Sequence, residues 1–280
     1  MTKHLTRAGM ALGLLALAAA PSPAAAKDPL VELSALIAQQ PSNGDLLLRR
    51  SSLSRDRGDV EAALADLDLA ATIPATANLA QLRSGVLLFE LKRYAPALER
   101  LDDVLARQPA EATARRLKAA ALWQLGRRRA ATSLFEAVMN EETDPNPYMT
   151  YATLLADARP PLLAEAIQVL DRGIRRLGPN ATLGELAADL ELRRRRWSGA
   201  LKYLDAVTAS VSRKDYWLRR RGAVLELAGR PCEALEAYQR ALASIDALPV
   251  DVQRTFTFTK ARTELTDLVE QTTCSRARRR

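Results

Sequence analysis

Six alanines recur along the chain at a nearly constant interval. Ala63, Ala97, Ala131, Ala166, Ala200 and Ala234 are spaced 34, 34, 35, 34 and 34 residues apart. Four positions after each comes a large apolar residue: Leu67, Leu101, Phe135, Leu170, Leu204 and Tyr238. Three further on stands a small or β-branched one: Ala70, Val104, Val138, Gly173, Val207 and Ala241. Positions i, i+4 and i+7 share one face of an α-helix. A second series, Ser51, Gly85, Ala119, Ala152, Ala188 and Gly222, marks a small residue on an earlier helix of each unit. The turn between the two helices is expected at Gly58, Lys92, Gly126, Arg195 and Gly229, and Pro74, Pro109, Pro179 and Pro249 close several units. The clearest copy runs from Trp217 to Pro249.

The pattern has a packing rationale. Two helices of a hairpin approach closely only where a small side chain lies at the crossing, and a large residue one turn on fills the groove beside the neighbouring unit. No such hairpin buries its apolar face alone, so the units must stack. In period and pattern, residues 44–249 resemble the tetratricopeptide repeat family, as about six degenerate repeats. The aromatic frequent early in that family's first helix is replaced by Leu47, Gln81 and Arg115, and the fourth unit has about two extra residues in its internal turn, Asp157 to Pro161. The resemblance implies an all-α, right-handed solenoid of antiparallel helix pairs. Residues 27–43 hold a lone amphipathic helix, with Asp28 as its N-cap and Pro29 at its first position, that would cap one end. Residues 250–274 read as one longer capping helix, Asp251 to about Gln271, with a basic, disordered tail at 275–280.

The first 26 residues combine Lys3, His4 and Arg7 with an apolar run from Met10 to Ala20 and a small-residue site at Ala24–Ala26. That is the pattern of a cleavable secretory signal peptide. No Cys lies near the cleavage site, and no later stretch is long and apolar enough to cross a membrane. The expected location is therefore outside the cytosol, in a bacterial periplasm. The formal charge of +8 is largely a property of the ends. Removing Lys3, Arg7 and the terminal Arg276, Arg278, Arg279 and Arg280 leaves the body close to neutral, which argues against nucleic acid as a partner.

The only histidine, His4, belongs to the leader. A mature chain without histidine lacks the commonest general base and the commonest metal ligand. No phosphate-binding glycine loop, metal-ligand spacing or nucleophile elbow occurs. The acidic neighbours Asp102–Asp103 and Glu141–Glu142 are adjacent on helices and do not face one another. No catalytic residue, cofactor or metal is expected.

Cys232 opens the last second helix of the array and Cys274 ends the capping helix. If the chain reverses near Pro249, both sulfurs fall at the same end, and an oxidising compartment would join them. The facing arms differ in length by about ten residues, at about 1.5 Å each, so the last turn would have to fray or fold back.

Because first helices line the inner surface in the resembling family, Arg49, Arg83, Phe89, Arg116, Trp123, Tyr216, Arg219 and Arg220 are projected into a groove. Arginine and aromatic side chains are enriched at interfaces. The expected occupant is an extended or helical protein segment of acidic character; the alternative is solvated arginine with aromatics packed between units. The paired Lys and Asn of the family's carboxylate clamp are absent. Trp197 and Tyr94, early in second helices, read as packing residues. The runs Arg127–Arg129 and Arg193–Arg196 read as cations at helix C-termini, with contact to anionic lipid headgroups or to an acidic partner as the alternatives. These features suggest a non-enzymatic exported scaffold for protein–protein contacts in a cell-envelope assembly. The alternatives are a peripheral envelope protein held at anionic lipid and an accessory subunit of a periplasmic enzyme. The oligomeric state is not legible.

Overall fold

The computed structural model describes residues 28–274, all of whose regular elements are α-helices. The proposed leader and the arginine tail lie outside the described residues. The chain divides into two compact units at Ile73–Pro74.

The first unit holds three helices. α1 (Pro29–Gln39) starts where the Asp28 carboxylate accepts from the Leu30 amide, with proline at the first helical position. α2 (Gly44–Asp56) and α3 (Val60–Ala71) form an antiparallel hairpin. Within it the buried Asp66 takes a two-pronged ion pair from Arg50, at 2.6 and 2.8 Å.

The second unit repeats the hairpin. α4 (Ala77–Glu90) pairs with α5 (Tyr94–Arg107), α6 (Ala112–Gln124) with α7 (Arg128–Glu141), and α8 (Asn146–Ala156) with α9 (Leu163–Leu177). Then α10 (Ala181–Arg193) pairs with α11 (Trp197–Ser210), and α12 (Asp215–Leu227) with α13 (Pro231–Asp246). The remaining helices are α14 (Val250–Gln253) and α15 (Phe256–Gln271), the latter packed on α13.

All six periodic alanines are fully buried, at 0% exposure, and the large residues four positions on are at most 3% exposed. The small series on first helices faces those large residues. A Cβ added to Gly85 would lie 3.0 Å from Leu101 Cδ2, and one added to Gly222 would lie 2.3 Å from the Tyr238 ring. The helix crossing is thus set by one absent side chain opposite one large one, which is how ridges seat into grooves at short interaxial distance. Buried side chains form a continuous core from Leu98 to Leu265, because each hairpin covers the apolar face left open by the one before.

The five regular turns share one geometry. Gly58, Lys92, Gly126, Arg195 and Gly229 all have φ between 56° and 83°. In each, the left-handed residue donates three positions back and its successor donates five back: Lys92 to Phe89 and Arg93 to Leu88, Arg195 to Leu192 and Arg196 to Glu191. This is the Schellman arrangement, which satisfies carbonyls that a helix end leaves open. The turn between α8 and α9 instead takes six residues, 157–162, consistent with the insertion there.

The single long capping helix expected over 251–271 is broken. Residues Arg254 and Thr255 separate α14 from α15, Thr255 being extended at φ −67° and ψ 148°. The Gln253 side chain turns back to donate to the Asp246 and Leu248 carbonyls, at 3.0 and 2.7 Å, capping the end of α13. The break removes the mismatch between the two arms: α13 and α15 each span 16 residues. Cys274 does not end the helix: α15 stops at Gln271, and the non-helical residues 272–274 carry Cys274 to Cys232, where the two are joined as a disulfide, Cα atoms 4.7 Å apart.

Candidate functional site

Within the second unit, consecutive first helices pack on one another, α4 on α6, α6 on α8 and α8 on α10, whereas the second helices stand further apart. Layers of unequal spacing curve toward the tighter one, so the first helices form the inner face of this unit. The residues that reach solvent from that layer are the candidate partner-contacting surface.

At the α4 end, Leu79 is 45% exposed and Arg83 lies one turn on, also exposed. Phe89, near the end of α4, is half-buried with its ring edge on Tyr94, centroids 5.3 Å apart. On α6, Arg116 reaches across to α8, where it donates to the Thr150 hydroxyl at 3.3 Å. A neutral hydroxyl does not compensate a guanidinium, so this cation keeps its demand for an anion. Neighbouring Arg115 is already paired, with Glu141 at 2.6 Å, and Lys118 with Asp102 at 2.6 Å.

Trp123 does not join this surface. It is 6% exposed, set edge-on to Tyr151 with centroids 5.6 Å apart, and the Arg128 guanidinium covers its face at 3.8 Å. Its indole is packing rather than a platform. The reason is the close seating of α6 against α8, which helical spacing alone does not reveal.

At the α12 end the arginines carry their own counter-charges. Arg220 donates to both Glu185 and Asp189 on α10, and Arg219 pairs with Glu264 on α15 at 3.3 Å. Tyr216 donates its hydroxyl to Glu185 at 2.6 Å, which pushes its phenol above the usual tyrosine range. The ring itself remains 40% exposed, edge-on to Trp217. Lys260 also lies 4.0 Å from Glu264, so the cations and carboxylates paired here balance, and this end offers an aromatic surface rather than an excess of positive charge. Spacing along α12 does not reveal these partners, because Glu185, Asp189 and Glu264 lie on other helices, 31 to 45 residues away. Arg49 belongs to the first unit, where it is exposed on α2.

The two arginine runs differ: Arg193 and Arg194 close the C-terminus of α10, whereas Arg127–Arg129 stand at the N-terminus of α7 and not, as expected, at a helix C-terminus. Arg193 donates to the Ala156 carbonyl at the end of α8, 2.9 Å away, and Arg194 lies 3.5 Å from Glu191. Arg128 is committed to Trp123. Cations at a helix C-terminus are favoured by its dipole and its open carbonyls. Trp197 is half-buried against the core. No helix among the described residues is long and apolar enough to cross a membrane.

A tetratricopeptide repeat family model matches residues 82–147 and 186–249. Together with the hairpin stack, that decides the family. The chain is a tetratricopeptide-repeat protein. Its fold is shared with a tetratricopeptide repeat protein from Parabacteroides merdae at 18% identity and TM-score 0.52, covering 86% of this chain and 91% of that one. It is also shared with the C-terminal part of a repeat-containing protein from Cytophaga hutchinsonii at 10% identity and TM-score 0.50, covering 80% and 95%. At such identities the likeness concerns the fold alone. A comparison with curated proteins finds no match. The tetratricopeptide fold serves as a scaffold for protein and peptide partners, and its members are generally non-catalytic.

Proposed function

We propose that this chain is an exported, non-enzymatic scaffold of the bacterial cell envelope that holds an extended or helical protein segment along its first-helix layer. The observation that carries the reading is the uneven chemistry of that layer. Among the described residues Arg116 meets only a hydroxyl, with exposed Arg83 and Leu79 nearby along the layer on α4. Tyr216 and the self-neutralised arginines lie at the other end. Such a surface favours a segment with an acidic residue at the α4–α6 end and an apolar residue at the α12 end. Leader-like residues 1–26 and the Cys232–Cys274 bond support an oxidising compartment.

The test is in-cell photocross-linking from a probe at exposed Thr153 on α8, in the wild-type background and with Arg83→Glu and Arg116→Glu combined. A discrete cross-linked protein band is expected that the double charge reversal abolishes. A band of undiminished intensity in the double variant places the partner elsewhere.

A further inference from the structure

The repeats provide their own internal standard, and one of them departs from it. Four positions before the small residue of each first helix stand Leu47, Gln81, Arg115, Tyr148, Gly184 and Leu218. Each is matched, on the second helix of the same repeat, by Ala70, Val104, Val138, Gly173, Val207 and Ala241. Where the structure shows the contact, large opposes small. A Cβ on Gly173 would lie 3.0 Å from the Tyr148 ring, and a Cβ on Gly184 would lie 2.4 Å from Val207 Cγ2. The fifth repeat fills this position least. Glycine with valine places three side-chain heavy atoms there, whereas the other five pairs place five or more.

A cleft of about 470 Å³ opens at that repeat, between α9, the start of α10 and α11. Its floor is Gly184 and its walls include Ile174, Ala206 and Val207. It opens between second helices, away from the proposed partner surface. The volume falls within the usual range of small-ligand sites, which combine an apolar wall with a few placed polar groups.

The polar groups are not balanced. Asp171 accepts the Tyr203 hydroxyl at 2.7 Å, so the carboxylate on the lining is already engaged. Burial and that hydrogen bond together push the Tyr203 phenol up, keeping its proton in place. Arg175 and Lys202, both exposed on the lining, have no ion-pair partner among the described residues. The α10 N-terminus, where Asn180 caps the Leu183 amide at 3.0 Å, adds the positive end of a helix dipole. A neighbouring cleft of about 360 Å³ differs: it carries Glu136 and Glu165 beside Arg172 and Arg175.

We propose that the Gly184 cleft binds a small amphipathic carboxylate, its aliphatic body against Ile174, Ala206 and Val207 and its carboxylate at Arg175 and Lys202. An apolar body gains from leaving water, and two cations at a partly closed mouth favour one anionic head over a neutral one.

Octanoate and octanol are the probes, titrated by calorimetry into the full mature chain with its disulfide intact. Saturable octanoate binding at one site is expected, at least tenfold tighter than octanol. Ala206→Trp, at an exposed lining position, should remove binding of both while thermal unfolding stays cooperative. Arg175→Glu with Lys202→Glu should remove the preference for octanoate and leave octanol binding as it was. No saturable octanoate binding overturns the proposal. So does octanoate affinity unchanged in Ala206→Trp, or unchanged in the double charge reversal, whose two positions are exposed and not needed for folding.

Discussion

Lys92 and Arg195 occupy positions that the other regular turns give to glycine. Their φ values are 59° and 56°. A side chain in the left-handed region costs about 1–2 kcal/mol, against about 0.5–1 kcal/mol of extra chain entropy lost by glycine. Lys92→Gly and Arg195→Gly should therefore each stabilise the fold by up to about 1 kcal/mol, read as a higher denaturation midpoint with unchanged slope. Unchanged or lower midpoints would mean the side chains make contacts that outweigh the strain. The two helix-crossing glycines should respond differently from each other. Gly222→Ala drives a methyl to 2.3 Å from the rigid Tyr238 ring, an overpacking that costs roughly 1–3 kcal/mol. Gly85→Ala meets the flexible end of Leu101 at 3.0 Å and gains up to about 1 kcal/mol of helix propensity, so it should be near neutral. Equal losses at both would refute this ranking. A residue-level titration is expected at Asp28. Hydrogen bonds from Arg57 and from the Leu30 amide lower its pKa to about 2. A carboxylate depressed in the folded chain contributes stability above its unfolded pKa and loses it as pH falls through the folded value. The anchoring of α1 to Arg57 should thus be complete above about pH 4 and lost near pH 2, followed by the Asp28 carboxyl signal in NMR. A midpoint at the unperturbed value would remove that anchor.

At the scale of the element, α15 is the most sparsely packed of the long helices of the second unit. It buries only Phe258 and Leu265 fully. The Arg213 guanidinium lies 4.4 Å from the Phe258 ring while pairing with the buried Asp215, tying α12 to this helix. The Thr272 hydroxyl reaches Glu226 at 2.9 Å. The disulfide closes a loop with a sequence separation of 42, which in the chain-entropy model is worth about 4 kcal/mol before strain. Cys274→Ser should lower unfolding free energy by about 2–4 kcal/mol. It should also accelerate amide exchange across Phe256–Gln271 more than in α6 to α9. Exchange in α15 that matches wild type would show that packing alone holds it.

At the scale of the whole molecule, compartment and fold are linked through two features that lie at opposite ends of the sequence. The leader is expected to end at Ala26, and the cysteines need an oxidising environment to join. Protein recovered from the periplasm should begin at Lys27 and resist thiol alkylation until reduced. The same chain held in the cytosol should keep its leader and react at both thiols. A periplasmic form with an intact N-terminus would make residues 1–26 an anchor.

How far the sequence reached depended on how local each feature is. The repeat, the turn positions and the buried faces were legible because each follows from spacing within one hairpin: an alanine, a large residue four on, a left-handed turn residue. That the projected arginines and aromatics lie on first helices was legible for the same reason. The break at Arg254–Thr255 was not, because what ends α14 is Gln253 capping the end of α13. Nor was the burial of Trp123, which follows from the seating of α6 on α8, nor the neutralisation of Arg219 and Arg220 by carboxylates on other helices. By itself the sequence determined the hairpin, its period and its stacking, since those rest on side-chain size at fixed spacing. The tertiary structure alone decided which charges remain uncompensated and where the stack leaves space, since both depend on residues that meet only once the helices are packed.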